Sequence, residues 1–294
     1  MVMHTVSSYR FESLEETISQ LSKEDCQIIA GGTDIMVQHK SPRGVPAKFE
    51  KPIVFIDHLK ELKKIYQNNQ DIHIGACCSY SELLKHPLIP KILKVAIQQI
   101  AAPAIRNRGT LGGNICNASP AGDTLPLLYI YNAKIKLRSS KGERLIEIKD
   151  FIQGPRKVKI SKDEILTEII LPEVQEEGTH FVFEKVANRR ADAIAKISFA
   201  GSLRLDEGRI IDARFAFGAV GPTVVRFMDI EQTIVGEAFP LDNMVIDRVV
   251  AGFDRKINPI DDHRSTAVYR KTVALNLLRY FLKKRAFKEG HRIN

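Results

Sequence analysis

Ala30-Gly31-Gly32-Thr33-Asp34 and, about 75 positions later, Arg106-Asn107-Arg108-Gly109-Thr110-Leu111-Gly112-Gly113-Asn114 decide how this chain is read. Each stretch sets adjacent glycines beside hydroxyl or amide side chains. That composition lets a backbone approach phosphate oxygens and donate N–H groups to them without Cβ obstruction. Two such loops point to a diphosphate-bearing ligand held from both sides, whereas neither loop alone is persuasive. For the second loop the competing reading is an Ω-loop packed on its own backbone. Small and polar residues continue there through Cys116-Asn117-Ala118-Ser119-Pro120-Ala121-Gly122-Asp123.

A chain of 294 residues has room for two domains, each able to bury its own core. Hydrophobic content of 44% and charged content of 27% lie in the globular range, and no segment is biased enough to argue for disorder. Apolar runs such as Ile28 to Ala30 and Pro52 to Ile56 are far shorter than the roughly 20 residues a membrane helix needs. Met1-Val2-Met3-His4-Thr5 carries neither the basic nor the apolar part of an export signal, so the expected location is the cytoplasm. Cys26, Cys77, Cys78 and Cys116 lack metal-finger spacing and read as thiols in a reducing compartment. The net charge of +9 would suit nucleic acid, an acidic ligand or an acidic partner. Basic residues are dispersed among acids and there is no Trp, which disfavours nucleic acid. No G-x-G-x-x-G follows a strand, and no P-loop, H-E-x-x-H or G-x-S-x-G motif occurs, so Rossmann, P-loop and hydrolase readings lose support.

Around the first loop, Ser13-Leu14-Glu15-Glu16 reads as a capping box opening a helix with Leu14, Ile18 and Leu21 on one face. Cys26 to Ala30 and Ile53 to Asp57 read as buried strands. A further strand at Ile72, Ile74 and Ala76 places His73 on its other face. Ser79-Tyr80-Ser81-Glu82 caps another helix, which Pro87 and Pro90 interrupt before Ile92, Val95, Ala96 and Ile100 resume its apolar face. After the second loop, strands are expected at Ala133 to Arg138, Leu145 to Ile148 and Ile165 to Leu171. The acidic, turn-rich Pro172-Glu-Val-Gln-Glu-Glu-Gly178 marks a boundary near residue 176. Beyond it, Phe181 to Val186, Ile197 to Leu205 and Ile210 to Phe217 form an antiparallel meander turning at Asp206-Glu207-Gly208. Helices follow at Val245 to Phe253 and Thr266 to Leu282, the latter with Val268, Thr272, Leu275 and Leu278 at helical spacing, and the run Arg279 to Arg285 completes its C-terminus. The fold class is α+β, with domains 1–176 (subdomains about 1–57 and 58–176) and 177–286.

Three single residues carry more than one reading. Asp123 cannot face a diphosphate, because like charges repel at close range. It is expected to accept from ribityl or ribose hydroxyls or from a neighbouring basic residue, with a plain Asx turn as the bland alternative. Lys185 lies on a strand where Phe181 and Phe183 share its face, and a charge there needs a partner, which a ligand edge or Asp192 would supply. Read alone, it is a snorkelling surface lysine, and Leu166 read alone is core.

The ordered motifs Ala30-Gly-Gly-Thr-Asp-Ile35, Ile105-Arg-Asn-x-x-Thr110-x-Gly-Gly-Asn-Ile115 and Ala118-Ser-Pro-x-x-Asp123 resemble the FAD-binding subunit of xanthine dehydrogenase-type molybdenum hydroxylases. The likeness extends through Glu164-Ile-Leu166, Phe183-x-Lys185, Arg189-Arg-x-Asp192 and Ser265-Thr-Ala-x-Tyr-Arg270, so it covers nearly the whole chain. It implies a vanillyl-alcohol oxidase (PCMH) type FAD domain followed by a carbon monoxide dehydrogenase flavoprotein C-terminal domain, with FAD between the halves of the first. The cofactor set it implies is Ile28, Ile29, Ala30, Gly31, Gly32, Thr33, Asp34, Ile35, Ile100, Ala101, Thr110, Gly113, Asn114, Asp123, Leu166 and Lys185. In that set Leu166 packs on the isoalloxazine and Lys185 tunes the flavin from its polar edge.

The same resemblance implies electron transfer. A molybdopterin-binding large subunit and a [2Fe-2S] small subunit are expected as separate chains in a dimer of heterotrimers, with NAD+ or another acceptor and with neither nucleic acid nor membrane as partner. The four-cysteine insertion of the 4-hydroxybenzoyl-CoA reductase branch does not occur here, which disfavours that branch. The competing functions are a stand-alone FAD oxidoreductase of the vanillyl-alcohol oxidase type and a non-catalytic nucleotide-binding or assembly module.

Overall fold

The computed structural model describes residues 6–40, 48–172, 176–189 and 192–283. The chain opens with β1 (Ser8–Tyr9), α1 (Leu14–Lys23), β2 (Gln27–Ile29), α2 (Ile35–Gln38), β3 (Ile53–Phe55), β4 (Ile65–Asn68) and β5 (Asp71–Gly75). Five helices follow: α3 (Tyr80–Lys85), α4 (Lys91–Gln98), α5 (Pro103–Arg106), α6 (Leu111–Asn117) and α7 (Leu125–Ile130). Then come β6 (Lys134–Ser139), β7 (Gly142–Glu147), α8 (Ile148–Phe151), β8 (Ile152–Gly154), β9 (Lys157–Val158) and β10 (Ile165–Leu171). The last part holds β11 (Thr179–Val186), β12 (Ile197–Asp206), β13 (Arg209–Gly218), β14 (Val225–Arg226), α9 (Met228–Glu231), α10 (Asn243–Lys256) and α11 (Ala267–Leu282).

These elements divide into two units that interleave along the chain. One holds the residues up to Ile89 with Ala102–Ala118 and Ala133–Pro172; the other holds Pro90–Ala101, Ser119–Asn132 and the residues after Pro172.

In the first unit, β2 and β1 flank β3 in a small parallel sheet, and a second, antiparallel sheet runs β4-β5-β10-β6-β7. The Ser13 side chain accepts from Glu16 N to start α1. The Glu16 carboxylate answers Glu12 N instead of Ser13 N, so only half of that capping box forms. At α3 both halves form, with Ser79 Oγ accepting from Glu82 N and Glu82 from Ser79 N. Leu14, Ile18 and Leu21 of α1 pack with Val54, Ile56, Leu59 and Leu62 into one apolar cluster.

The second unit is a β11-β12-β13-β14 antiparallel sheet, which is the expected meander with one more short strand. Its β12–β13 turn has Glu207 at φ 46° and Gly208 at φ 73°, the left-handed pair that tight hairpins require. Ile197, Phe199, Leu203, Phe215 and Phe217 point to one face and bury against Val249, Phe253, Leu278 and Phe281 of α10 and α11. The opposite face receives α7, and α4 lies against β11.

Two helical faces differ from expectation. The buried stripe of α4 is Leu93, Ala96 and Ile97, with Ile92 and Val95 only half-buried. In α11 the buried residues are Arg270, Ala274, Leu278, Phe281 and Leu282, while Val268 is 77% exposed. In α4 the polar Lys91, Lys94 and Gln98 leave a broad apolar side of which only part is fully buried, and in α11 polar and apolar residues are intermixed around the helix, so spacing alone does not choose the side that meets the sheet. The last residues of the Arg279 to Arg285 run lie outside the described residues.

Candidate functional site

The two glycine loops meet inside the first unit. A Cβ on Gly31 would overlap the Arg108 carbonyl oxygen, so the loops are in backbone contact where only glycine fits. Gln38 Nε2 donates to Asn117 Oδ1 at 2.9 Å, joining α2 to α6. Arg108 and Arg10 both reach Asp57, at 3.2 and 3.6 Å.

After β2, Gly32 takes φ 74° and the chain turns into α2. Gly32 O and Asp34 O accept from Met36 N and from Val37 N and Gln38 N. The N–H groups of Gly31, Gly32, Thr33, Asp34 and Ile35 donate to no acceptor among the described residues. Five consecutive amides are thereby left for an anionic group. Ile28 and Ile29 sit in β2 opposite Val54 and Phe55, and Ala30 packs against the apolar cluster behind the loop.

The second loop is arranged differently. It folds as α5 and α6, which removes the Ω-loop reading. Thr110 caps α6 by accepting from Gly113 N at 3.0 Å. Leu111 N donates to Cys78 O, Gly112 N to Ala76 O and Asn114 N to Thr110 O. These amides are engaged by the protein, unlike those of residues 31–35. A Cβ on Gly112 would come within 2.6 Å of Ala76 O, so this glycine serves the packing of α6 on the end of β5. Gly113 is exposed, and a Cβ there would meet only Thr110 Oγ1, at 2.8 Å. Replacing Thr110 by Ala should cost about 1 kcal/mol of stability through the lost cap, measured by denaturant unfolding.

In the second unit, Lys185 extends from β11 with its side chain 5% exposed. Its Nζ donates to Asp123 Oδ2 at 2.6 Å and to Gln99 O at 2.9 Å. Its partner is therefore Asp123 and not Asp192, which pairs with Arg189. The surface-lysine reading of Lys185 falls with that burial. Ile100 and Ala101 follow Gln99 directly, Ala101 with φ 42°. Asp123 Oδ1 and Ser198 Oγ are buried and have no partner among the described residues. Leu166 is 4% exposed on β10, at the irregularity in its pairing with β6.

Burial pushes the Asp123 carboxyl up to about 6, with the Lys185 charge working against that rise. Because its folded value lies above the ordinary 3.8, stability from this group is complete below that pH and lost as pH rises through about 6. The span corresponds to roughly 3 kcal/mol. Asp123→Asn should remove this slope, measured by denaturant unfolding at pH 4 and pH 7.

Gln99, Arg108 and Ser198 went unflagged in the sequence. Gln99 and Arg108 act through backbone carbonyls, which leave no mark in residue type, and Ser198 is an ordinary strand serine until its register places it opposite Lys185.

A first loop whose amides are unengaged among the described residues lies in contact with a capped second loop on a mixed frame of helices and sheets, and the comparisons with known proteins give the class. Residues 4–174 match the FAD-binding domain of molybdopterin dehydrogenases, and residues 183–285 match the carbon monoxide dehydrogenase flavoprotein C-terminal domain. The chain belongs to the family of FAD-binding (medium) subunits of xanthine and carbon monoxide dehydrogenases. It is 31% identical over 285 residues to the xanthine dehydrogenase FAD-binding subunit of Escherichia coli O157:H7, covering 95% of this chain and 94% of that one. It is also 31% identical to the glyceraldehyde dehydrogenase medium chain of Sulfolobus acidocaldarius, over 96% and 97% of the two chains. A chain of reconstituted CO dehydrogenase from Oligotropha carboxidovorans superposes with a TM-score of 0.86 at 27% identity, over 97% of this chain and all of that one. The α+β class, the FAD cofactor and the place of this chain as a subunit of an oxidoreductase follow. No helix among the described residues is long and apolar enough to cross a membrane.

Proposed function

We propose that this chain takes electrons from the [2Fe-2S] clusters of a small partner subunit and passes them, through its FAD, to NAD+ or another acceptor. In this reading a molybdopterin-binding large subunit oxidises the substrate, and the whole is a dimer of heterotrimers in the cytoplasm. The observation that carries the reading is the run of five unengaged amides from Gly31 to Ile35, held against Arg108.

Bound FAD supplies reversible two-electron chemistry. The residues then divide the work. The amides of residues 31–35, with the Thr33 hydroxyl, would hold the diphosphate, with Thr110, Gly113 and Asn114 as further binding residues. Ile28, Ile29 and Ala30 would fix the approach of that loop, and Ile100, Ala101 and Leu166 would serve the ring. Lys185 would supply a cation that favours the reduced flavin, and Asp123 holds that cation in place. The family domains correspond to residues 1–176 and 177–286 in this proposal.

The test is purification of the full chain from its native source together with its partners. Flavin absorbance, two further chains carrying molybdenum and iron, and reduction of NAD+ on adding substrate are expected. A chain that carries no flavin and acquires none from added FAD would overturn the proposal.

A further inference from the structure

Asp123 stands at the head of α7, a six-residue helix lying on the sheet face that carries Lys185. Lys185, Ser198 and Gly218 are paired across β11, β12 and β13, so they occupy one row of that face. The row is tight: a Cβ on Gly218 would overlap Ser198 Oγ and lie 3.3 Å from both Pro120 O and Pro126. A helix of under two turns laid on such a surface takes its position from what grips its ends.

Both ends are gripped. At the front, Ala219 N donates to Pro120 O at 2.8 Å. At the rear, Arg226 Nη1 donates to Tyr129 O at 2.6 Å and Asn132 Oδ1 at 2.7 Å, while Arg214 Nη1 donates to Ile130 O at 2.7 Å. These arginines also suit the negative end of the helix. Arg226 is itself fixed by Glu231, through Nε to Oε1 at 2.8 Å and Nη2 to Oε2 at 2.9 Å, and Glu231 Oε1 also accepts from Phe215 N at 2.7 Å. The Arg226 and Glu231 side chains are only 9% and 4% exposed. An ion pair buried so deeply adds little net stability over an apolar replacement, so its consequence here is geometric.

We propose that Arg226, locked by Glu231 and assisted by Arg214, is a positioning residue that sets α7 so that Asp123 meets the Lys185 ammonium. This inference rests on the flavin-site reading of Lys185. Arg226 touches neither member of the pair and acts only through α7. Its loss lets Asp123 draw away, lengthening a charge-assisted hydrogen bond whose strength depends steeply on distance.

The test uses the full chain, with and without FAD. Arg226→Met combined with Glu231→Gln removes both buried charges and keeps an acceptor for Phe215 N. Arg226→Lys keeps the charge without the fork. Arg270→Met, which breaks the ion pair of another buried arginine with the exposed Asp262 in the same unit, is the control for simple destabilisation. In FAD-free protein, the double variant should reduce protection of the Lys185 ammonium from hydrogen exchange about tenfold. In FAD-loaded protein, it should lower the flavin midpoint potential, in the same direction as removal of Lys185. Arg226→Lys should do both to a smaller degree, and Arg270→Met should do neither. Wild-type protection and potential in the double variant, or an equal change in Arg270→Met, would overturn the inference. Lost protection together with an unchanged potential would keep the tether but refute the flavin-site reading.

Discussion

Gly31→Ala should leave the protein almost free of flavin. The new Cβ would overlap the Arg108 carbonyl oxygen, with Gly109 Cα 3.2 Å away. Both obstacles are backbone, so no rotamer change relieves the contact and one loop must withdraw from the other. Overpacking of this kind costs about 3 kcal/mol. If that strain is released only by moving the loop that presents the free amides, FAD affinity falls by roughly 100-fold. Two neighbouring glycines provide the comparison. Gly113→Ala meets only a rotatable hydroxyl and should cost about 1 kcal/mol through the disturbed Thr110 cap. Gly32→Ala retains its φ of 74° at a penalty of about 1–2 kcal/mol. The flavin-to-protein absorbance ratio after gel filtration, with denaturant unfolding of each variant, checks this ranking. Wild-type flavin content in Gly31→Ala would contradict the loop-contact account.

Lys185→Met should have the second large effect, in two separable parts. The first is on stability: Asp123 and Gln99 O lose their donor inside the protein. An unpaired buried carboxylate would cost about 3–5 kcal/mol if it stayed charged. Asp123 already titrates at about 6 beside the lysine, and without that cation its value rises further, so it becomes neutral near pH 7 and part of the cost is avoided. The loss should therefore grow as pH is raised from 7 to 9, and adding Asp123→Asn should abolish that growth. The second part is on the cofactor: withdrawing a charged donor worth about 1.5–3 kcal/mol from the reduced ring lowers the midpoint potential by roughly 30–60 mV. Spectroelectrochemical titration of the loaded chain measures it. A potential equal to wild type would remove Lys185 from the tuning role while leaving its structural role to the pH series.

Much of this was legible in residue order. The capped starts of α1 and α3, the Asp206-Glu207-Gly208 hairpin and the β11–β13 meander follow from interactions between residues a few positions apart, and local chemistry is what a sequence displays. The glycines of both loops were likewise visible, and with their flanking motifs they pointed to the family and its cofactor. Their separate reasons were not visible. Gly31 yields to Arg108, Gly112 to Ala76 and Gly32 to its own φ, and a one-letter string does not distinguish a glycine facing a ligand from one facing another loop.

The sequence by itself determined the class of fold and the cofactor. Tertiary structure alone decided which charges meet. Asp123 and Lys185 lie 62 positions apart and become partners because β11 and the head of α7 converge within one unit. It also decided which amides find acceptors among the described residues, since Leu111 and Gly112 give theirs to carbonyls of the chain around β5 and α3 while residues 31–35 meet none there. The physical reason is common to both outcomes: burial makes an unsatisfied polar group costly, and the partner that satisfies it is chosen by proximity in space and not by distance along the chain.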